Sequence, residues 1–545
     1  MLLYISYKDM MTENEQQKLI KKAAIYIDKK QFNKATKCLD EAYVKNGKFN
    51  ALIFYFLGRI SEDSDHYIEA INCLCNAVRY LNNPNNVLSK EFEYMIFLRL
   101  AEACSATGAT KKALRFYEEA YKRSPESNRY SVLTSYLYCM VSGNTSPADM
   151  LKGLHKMDEL FASTRTDISG SLELQPKPDR NKIHVAYISP DFCGHVMYYF
   201  YYALLNYYDR KRFYVTCIYL DEKKDECTHQ IESMVDNFEF CAGMEFVDIA
   251  AKLKSMQIDI AVDFAGFTAH SGLALFGYRI APVQISGLGW MESTGLKEMD
   301  YLITDKFLDE PGHSYITEKP LYVSTCFCYT KKGDFPASTG APCKKNGYVT
   351  FGTMNRAIKI TDEMLVVWRE ILNHVPGSKL LLKSTSLQSQ KMRFFINDRF
   401  QNAGIDPERV IIESSSKDYM LRYLDMDIAL DTYPYCGGGT TFEALYMGVP
   451  VVSMYGERRS SRFGLSILTN AGIGELAVPT ADEYAERAVA LAHDWELLDV
   501  LHKNLRTMLE NSTAMDGRRY AREMEAQYEK ILQEAREKEY SEYSQ

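Results

Sequence analysis

The N-terminal third of the chain repeats a pattern of small residues set among apolar positions at helical spacing. Three sets share internal offsets of twelve and seven residues, namely Ala23, Ala35 and Ala42; Gly58, Ala70 and Ala77; and Ala101, Ala113 and Ala120. Apolar residues precede the small ones, for example Phe54 and Leu57 before Gly58. Two antiparallel helices approach closely only where their crossing point lacks bulky side chains. Each set therefore predicts a pair of packed helices, and the three sets predict a stack of such pairs.

The spacing of these units resembles that of tetratricopeptide repeats, with an insertion near residues 82–89 in the second interval. A generic helical bundle is the alternative interpretation. We expect the repeat domain to occupy residues 12–165 and to bind a protein partner or a second copy of the chain. Residues 166–181 contain Gly and two prolines with few apolar side chains and are expected to form a linker.

After residue 182 the pattern changes to short β-branched runs separated by helical stretches. The predicted strands of a first layer lie at residues 184–189, 213–220, 258–264, 283–286 and 301–304. Those of a second layer lie at residues 348–353, 378–383, 409–413, 428–430 and 451–454. This alternation is typical of parallel α/β layers. We expect two Rossmann-like halves, at residues 182–335 and 346–493, with a ligand crevice between them and a helical tail at residues 494–545.

Composition narrows the choice of partners and compartment. The 545 residues include 64 Lys and Arg against 72 Asp and Glu, a net charge of −8, so no overall positive field attracts nucleic acid or anionic lipid. The thirteen cysteines lack the two-residue intervals of zinc ligands or redox dithiols, which is typical of free thiols in a reducing cytosol. The N-terminus lacks a secretory signal pattern, and the most apolar run, at residues 197–208, is too short to span a bilayer. We therefore expect a cytoplasmic protein that binds neither nucleic acid nor membrane.

Residues 430–452 carry the most informative pattern of the second layer. A strand ends in a turn with three consecutive glycines, continues through Thr440 and Thr441, and enters a helix. Glycines such as Gly438 and Gly439 let the backbone approach a ligand closely, and the N–H groups at a helix start favour a phosphate. Neither the Walker spacing nor G-x-G-x-x-G fits this stretch. We name residues 437–441 the glycine turn and expect it to bind a phosphate group.

A second strand exit in this layer carries a cation. Residues 349–359 form a predicted strand followed by Asn355, Arg356 and Lys359. A lysine next to a pyrophosphate neutralises the charge that develops on a leaving group, which is a role that a divalent metal plays elsewhere. Taken alone, a lysine after a strand is more often an exposed surface residue.

Two strand exits in the first layer face the same predicted crevice. Residues 189–195 carry Asp191 and His195, and a histidine exchanges a proton near neutral pH most readily when a carboxylate orients it. A structural histidine is the alternative. Residues 285–295 form another exit that contains glycines, and its backbone is a candidate for contacting a sugar.

Together with the repeats, these segments closely resemble the tetratricopeptide-containing protein O-GlcNAc transferases. That family has the GT-B fold of two Rossmann-like domains, and it includes bacterial members and the plant SPINDLY-type O-fucosyltransferases. The matching motifs are S-x-D-F-x-x-H at residues 189–195, M-D-Y-x-x-T-D at 299–305, N-x-x-x-K at 355–359, and the block from L-D-T-x-P-Y to M-G-V-P at 430–450. The resemblance covers nearly the whole chain and implies a GT-B transferase body preceded by all-α repeats.

The resemblance also implies a role for individual residues. The implied catalytic residues are His195 and Lys359, and the implied nucleotide-sugar-binding residues are Leu288, Gly289, Asn355, Arg356, Tyr419, Gly438, Gly439, Thr440, Thr441 and Glu443. Lys359 and the two threonines would hold the donor diphosphate, and Leu288 and Gly289 would offer backbone atoms to the sugar. Glu443 would hold the ribose, although an acid near a helix start is favourable without any ligand. His195 would position the acceptor and facilitate proton transfer.

Several positions depart from the pattern of the family. Arg356 replaces an amide, Tyr419 replaces a base-stacking His, and residues 290–292 replace Tyr-Pro-Gly. These changes affect the expected identity of the base and of the sugar more than the expected class of reaction. Asp425 and Asp427 form a D-x-D pattern, but Asp427 comes just before a strand, at a position that the resemblance implies is structural. The resemblance also implies no metal, because the family is metal-independent and Lys359 would supply the positive charge.

The resemblance implies an inverting transferase that moves GlcNAc from UDP-GlcNAc to Ser or Thr of a protein acceptor, such as a bacterial surface or flagellar protein. It implies no cofactor beyond this donor substrate. Transfer of another sugar, such as fucose from GDP-fucose or a hexose, is one alternative. A non-catalytic repeat scaffold with a degenerate transferase body is the other.

Overall fold

The structure is a computed structural model, and it falls into two compact units. It describes residues 15–46, 51–64, 66–81, 90–164, 168, 174–312 and 315–543. The first unit, which we call the repeat unit, holds the described residues up to 143 together with residues 356–358 and 385–399. The second unit holds the other described residues, and we call it the transferase body.

The repeat unit contains the predicted pairs of antiparallel helices. Its helices are α1 (Glu15–Asp28), α2 (Phe32–Asn46), α3 (Ala51–Glu62), α4 (Tyr67–Leu81), α5 (Lys90–Ala106), α6 (Thr110–Arg123) and α7 (Glu126–Ser142). The small residues of all three sets are buried where paired helices meet. A Cβ atom on Gly58 would lie 2.7 Å from Cγ of Leu74, so the crossing of α3 and α4 requires a glycine. The expected insertion at residues 82–89 lies outside the described residues.

The repeat domain ends earlier than the sequence pattern predicts. Helix α8 (Pro147–Thr164) was expected to be its last element, but α8 belongs to the transferase body. The carboxylate of Asp158 accepts a hydrogen bond from the N–H of Lys297 (3.1 Å) and pairs with its ammonium (3.0 Å). A Cβ on Gly295 would lie 2.5 Å from Cβ of Leu154, which shows how closely the two segments pack. Helical periodicity predicts a buried face but does not say which surface covers it.

The first sheet of the transferase body contains seven parallel strands. They are β1 (Ile183–Ser189), β2 (Phe213–Tyr219), β3 (Asn237–Phe240), β4 (Ile260–Asp263), β5 (Val283–Ser286), β6 (Tyr301–Thr304) and β7 (Lys319–Tyr322), in the order β3-β2-β1-β4-β5-β6-β7. Helices α9 (Tyr198–Asn206), α10 (Glu226–Met234), α11 (Phe246–Ser255) and α12 (Leu273–Phe276) lie between the strands in sequence. The central strands are buried on both faces, which explains why most of their residues are apolar.

The second sheet has six parallel strands in an equivalent order. They are β8 (Thr350–Thr353), β9 (Lys379–Ser384), β10 (Val410–Ser414), β11 (Ile428–Leu430), β12 (Val451–Met454) and β13 (Ala477–Val478), in the order β10-β9-β8-β11-β12-β13. The helices in this part of the sequence are α13 (Cys343–Asn346), α14 (Asp362–His374), α15 (Gln390–Asn402), α16 (Gly439–Tyr446), α17 (Phe463–Asn470) and α18 (Ala481–His493). Residues 390–399 of α15 belong to the repeat unit, and the other helices belong to the transferase body. In both sheets the strand order reverses between two central strands, β1 and β4 in one and β8 and β11 in the other. Ligands of such sheets bind beyond the carboxyl ends of these strands.

The ten predicted strands are all present, with ends that differ by at most two residues from the predicted ones. The pattern missed β3, β7 and β13, and each of these is an edge strand. Strands β3 and β7 are only partly buried, so they lack the apolar run that identifies a central strand, and β13 has only two residues.

The tail is helical, as predicted, and consists of α19 (Trp495–Glu510) and α20 (Gly517–Tyr543). Helix α20 packs on the first half of the body, where Glu525 pairs with Arg212 (2.8 Å) and the Tyr528 hydroxyl lies 3.4 Å from that of Tyr187. Within the described part of the chain, no helix combines the length and the apolar character needed to cross a membrane.

Candidate active site

Asp431 organises the glycine turn at the point where β11 ends. This side chain is 2% exposed, and its Oδ1 accepts hydrogen bonds from the N–H groups of Thr432 (2.8 Å) and Gly437 (2.7 Å). Its Oδ2 accepts a hydrogen bond from the Ser453 hydroxyl (2.7 Å). Burial raises the pKa of the Asp431 carboxyl, whereas these donors and the nearby Lys359 ammonium oppose the rise. Asp431 directly follows β11, and this position at a strand end is the signal in the sequence that points to it.

Asn355 connects the neighbouring strand β8 to the same turn. Its amide nitrogen donates to Oδ1 of Asp431 (3.2 Å), and its amide oxygen accepts a hydrogen bond from the Thr440 hydroxyl (3.0 Å). The Thr441 hydroxyl donates to the carbonyl of Gly437 (3.0 Å). The two strand exits that the sequence pointed to are therefore joined by hydrogen bonds.

Helix α16 begins in the glycine turn and is anchored by an aromatic contact. Phe442 is fully buried, stacks on Tyr329 with ring centroids 4.7 Å apart, and meets the edge of Phe200 at 5.9 Å. Phe200 belongs to α9 in the first half of the body. The N–H groups at the start of α16, including those of Gly438 and Gly439, are thus held in one position, as a phosphate site requires.

Lys359 is directed at the glycine turn and is not an ordinary surface lysine. It is 8% exposed, and its ammonium donates to the carbonyl of Cys436 (2.8 Å) and lies 3.5 Å from the ring centroid of Tyr435. A buried ammonium beside a helix start creates a local positive field in a chain whose overall charge is negative. This arrangement is suited to a phosphate or diphosphate.

The residues that the resemblance assigns to the nucleoside lie next to Lys332, a lysine that the sequence did not indicate. Glu443 is 4% exposed, and its carboxylate accepts hydrogen bonds from the hydroxyls of Tyr419 (2.9 Å) and Tyr423 (3.3 Å). Lys332 forms an ion pair with Glu443 and donates to the Tyr419 hydroxyl (2.7 Å). Burial and the adjacent Glu443 carboxylate raise the pKa of Tyr419. The carboxylate predicted to hold a ribose is thus held by three side chains, and Lys332 offsets its charge.

The loop after β1 places His195 on the opposite side of the crevice. Its side chain is 45% exposed, and its Nδ1 lies 3.5 Å from Oδ1 of Asp191 and 3.4 Å from the N–H of Met197. Burial raises the pKa of the Asp191 carboxyl, and the facing imidazole opposes this rise. A Cβ on Gly439 would lie 2.8 Å from Cγ2 of Val196, so this loop lies against the start of α16. The structure therefore brings the predicted histidine loop and the glycine turn together.

The loop after β5 packs tightly on the loop after β4. A Cβ on Gly289 would lie 1.7 Å from the carbonyl oxygen of Phe264, so only glycine fits at this position. Leu288 and Trp290 are 7% and 3% exposed, and the Trp290 indole donates to the carbonyl of Ser293 (3.0 Å). The residues that depart from the family pattern here are thus part of the packed body, which is not typical of a decayed loop.

Arg356 belongs to the repeat unit, where its guanidinium donates to the Tyr138 hydroxyl (3.0 Å). Its predicted contact with a donor stays a prediction.

Both aspartates of the D-x-D pattern have structural partners. Asp427 accepts hydrogen bonds from the N–H groups of Cys343 (2.7 Å) and Thr350 (2.8 Å), and Asp425 pairs with Arg422 (2.7 Å). Among the residues that the structure describes, no group of three or more His, Cys, Asp or Glu side chains is placed to hold a metal ion.

Asp431→Ala is expected to lower the free energy of unfolding by about 3 kcal/mol or more, because it leaves several buried donors without an acceptor. Asp431→Asn keeps the Oδ1 acceptor but can no longer accept the hydrogen bond from Ser453. We therefore expect it to lower the free energy of unfolding by about 1 kcal/mol. Urea denaturation of both variants checks this. Equal losses for the two variants would show that the hydrogen bonds to Oδ1 are not what stabilises the turn.

The fold and the site together define a class of protein. Two Rossmann-like sheets, whose facing strand ends hold a buried lysine and a glycine turn at a helix start, are typical of GT-B glycosyltransferases. Residues 170–333 and 343–524 match the profile of glycosyl transferase family 41, and the chain belongs to this family.

Two plant relatives and one solved structure illustrate the similarity. A protein of Arabidopsis thaliana named probable UDP-N-acetylglucosamine–peptide N-acetylglucosaminyltransferase SPINDLY is 34% identical over 361 residues, which cover 65% of this chain and 40% of the relative. The protein of the same name from Petunia hybrida is 33% identical over 360 residues, which cover 64% of this chain and 38% of the relative. The solved structure is a mutant O-GlcNAc transferase of Thermobaculum terrenum, with a TM-score of 0.78 and 24% identity over 96% of this chain and 99% of that chain.

The structural match confirms the predicted fold, a GT-B body preceded by helical repeats. The matches to the plant proteins span only 38% and 40% of their lengths.

Proposed function

We propose that this protein is an inverting glycosyltransferase that moves GlcNAc from UDP-GlcNAc to Ser or Thr of a protein acceptor. The observation that carries the proposal is the buried ammonium of Lys359, held at the glycine turn where α16 begins, with the His195 loop in contact with that turn. A nucleoside diphosphate is the leaving group that such a positive, glycine-lined helix start fits. The names of the plant relatives and the family membership support the same donor and a peptide acceptor.

The proposed reaction is a single displacement at the anomeric carbon. The acceptor hydroxyl oxygen attacks from the face opposite the diphosphate, and the bond between the anomeric carbon and the β-phosphate oxygen breaks with its electron pair on that oxygen. Lys359, together with Thr440 and Thr441 at the start of α16, holds the leaving diphosphate and stabilises its negative charge. His195, oriented by Asp191, positions the acceptor hydroxyl and facilitates the transfer of its proton to a base, for which the imidazole and the donor phosphate are the candidates.

The remaining predicted contacts place the nucleoside and the sugar. Glu443 holds the ribose and Tyr419 lies against the base, while the backbone of Leu288 and Gly289 faces the sugar. No cofactor or metal is required, because Lys359 supplies the charge that a metal would supply. The repeat unit binds the acceptor protein, and the reaction takes place in the cytoplasm.

A specific observation favours a second donor, GDP-fucose or another nucleotide sugar. Tyr419 stands where the family has a base-stacking His, and its hydroxyl is engaged by Glu443 and Lys332. A changed side chain at the base position alters which base is preferred.

The experiment compares UDP with GDP by isothermal titration and then offers a panel of nucleotide sugars with candidate acceptors. We expect UDP to bind at least about ten-fold more tightly than GDP, a difference of ~1.4 kcal/mol. Intact-mass spectrometry should then show an N-acetylhexosamine increment on the acceptor. A GDP preference with a deoxyhexose increment would replace the proposed donor. Binding of neither nucleotide would overturn the proposal in favour of a scaffold.

A further inference from the structure

Glu292 connects the two halves of the transferase body through a buried contact. It lies in the loop after β5, and its Oε1 accepts hydrogen bonds from the Ser460 hydroxyl and from the Ser460 N–H (3.3 Å) in the segment after β12. The Arg458 guanidinium lies 3.5 Å from the same oxygen. Glu292, Arg458 and Ser460 are 6%, 5% and 0% exposed. Glu292 also belongs to residues 290–292, where this chain departs from the pattern it resembles.

The contact continues from Ser460 to Lys359. The carbonyl of Ser460 accepts a hydrogen bond from the N–H of Cys436 (3.2 Å), and the carbonyl of Cys436 accepts one from the Lys359 ammonium (2.8 Å). The Cys436 thiol also donates to the carbonyl of Ser461 (3.1 Å). The peptide groups that hold Cys436 in place therefore belong to the segment that Glu292 holds.

A buried carboxylate at this place requires compensation. Moving a carboxylate out of water is costly unless donors surround it, and burial raises the pKa of Glu292 while Arg458 and the two Ser460 donors oppose the rise. The favourable arrangement is the one in which Ser460 faces Glu292. A shift of the segment after β12 would leave the carboxylate without its donors, so Glu292 restricts the position of this segment.

We propose that Glu292 is a positioning residue that acts through Ser460 and Cys436 to hold the Lys359 ammonium at the glycine turn. The sugar-facing loop of the first half is thereby linked to the residue that stabilises the leaving group. This inference rests on the proposed function for its effect on catalysis. The link itself is a property of the hydrogen bonds between Glu292 and Lys359.

Displacing Lys359 weakens its electrostatic interaction with the diphosphate more in the transition state than in the ground state, because negative charge grows on the diphosphate as the bond breaks. Weakening the link should therefore lower kcat more than it raises KM for the donor. If Glu292 had a purely structural role, its loss would lower the stability of the protein without lowering kcat more than it raises KM for the donor.

The chain offers a matched control in a second serine. Ser466 is also fully buried and also donates from its hydroxyl to a buried carboxylate of the first half, that of Asp305 (2.6 Å). No step of the link to Lys359 passes through Ser466. Ser460→Ala and Ser466→Ala thus remove equivalent hydrogen bonds, of which only the first leads to Lys359.

We expect Ser460→Ala to lower kcat about ten-fold, with a smaller change in donor KM, because a modest displacement of a catalytic group is sufficient for such a loss. Ser466→Ala should leave kcat near the wild-type value. Glu292→Gln keeps an acceptor oxygen for Ser460 and should retain most of the activity that Glu292→Ala loses. Thermal unfolding of all four variants separates these effects from a general loss of stability.

A second readout needs no nucleotide and no transfer. The carbon-13 signal of the Lys359 Cε, assigned with Lys359→Arg, should shift in Ser460→Ala and stay in place in Ser466→Ala. If the wild-type protein transfers no sugar, the proposed function fails, and this signal alone decides whether the link exists. The inference is overturned if the Lys359 signal is unchanged in Ser460→Ala, or if both serine variants change the signal and kcat equally.

Discussion

Replacing Lys359 by alanine is expected to reduce sugar transfer by about 10³-fold or more while the protein stays folded. The ammonium is buried and donates to the carbonyl of Cys436 beside the glycine turn. Its removal leaves the growing charge of the leaving diphosphate without a counter-charge. Steady-state transfer kinetics and UDP titration check the prediction, and binding should weaken less than turnover.

Lys383 provides the control for losing a buried ammonium in the same half. It is 7% exposed and donates to the carbonyl of Ser414 (2.8 Å), but it is not one of the residues proposed to hold the nucleotide sugar. We expect Lys383→Ala to keep turnover near the wild-type value. Near-wild-type transfer by Lys359→Ala would refute the diphosphate role of this lysine.

His195→Ala is expected to lower kcat by about 10²-fold, in the range of general acid–base and positioning effects. Because nearly half of the His195 side chain is exposed, its loss creates no buried cavity, and the thermal midpoint should change little. Asp191→Asn should lower kcat by a smaller factor, because the imidazole stays in place but loses the carboxylate that orients it.

His229 is a suitable comparison, because it is an exposed histidine of the same half that lies 3.7 Å from Glu232. His229→Ala should leave the kinetics unaltered. If His195→Ala behaves in the same way, His195 has no part in the mechanism.

Fold prediction succeeded wherever burial is complete on both sides of an element. The central strands β1, β4, β5, β8, β11 and β12 are buried at every position except Ile183, and most of their residues are apolar, so the sequence marks them without reference to their neighbours. The edge strands β3 and β7 are only partly buried and mix polar with apolar residues, and β13 has only two residues, so none of the three carries the apolar run by which the sequence marks a central strand. Helix α8 was identified as a helix but assigned to the wrong domain, because its apolar face does not encode its partner.

The structure brings together several predicted site residues that follow central strands. Asn355, Lys359 and the glycine turn lie after β8 and β11, where the strand order reverses, and the structure joins them through Asp431 and Cys436. Their predicted roles in holding a nucleotide sugar stay predictions until ligand binding is measured. The carboxylate of Glu443 differs from a simple ribose ligand, because Lys332 already balances its charge.

The amino-acid sequence by itself determined the helix pairs of the repeats, the ten strands of the two sheets and the positions of the polar strand exits. These features depend on hydrophobic periodicity and on local turn chemistry, both of which are set by residues close together in the sequence. Only the tertiary structure decided that Lys332 neutralises Glu443 and that Glu292 reaches Ser460, a residue 168 positions away. Such pairs form because a buried charge must find donors or a counter-charge, and the packing of two sheets determines which distant side chain lies within reach.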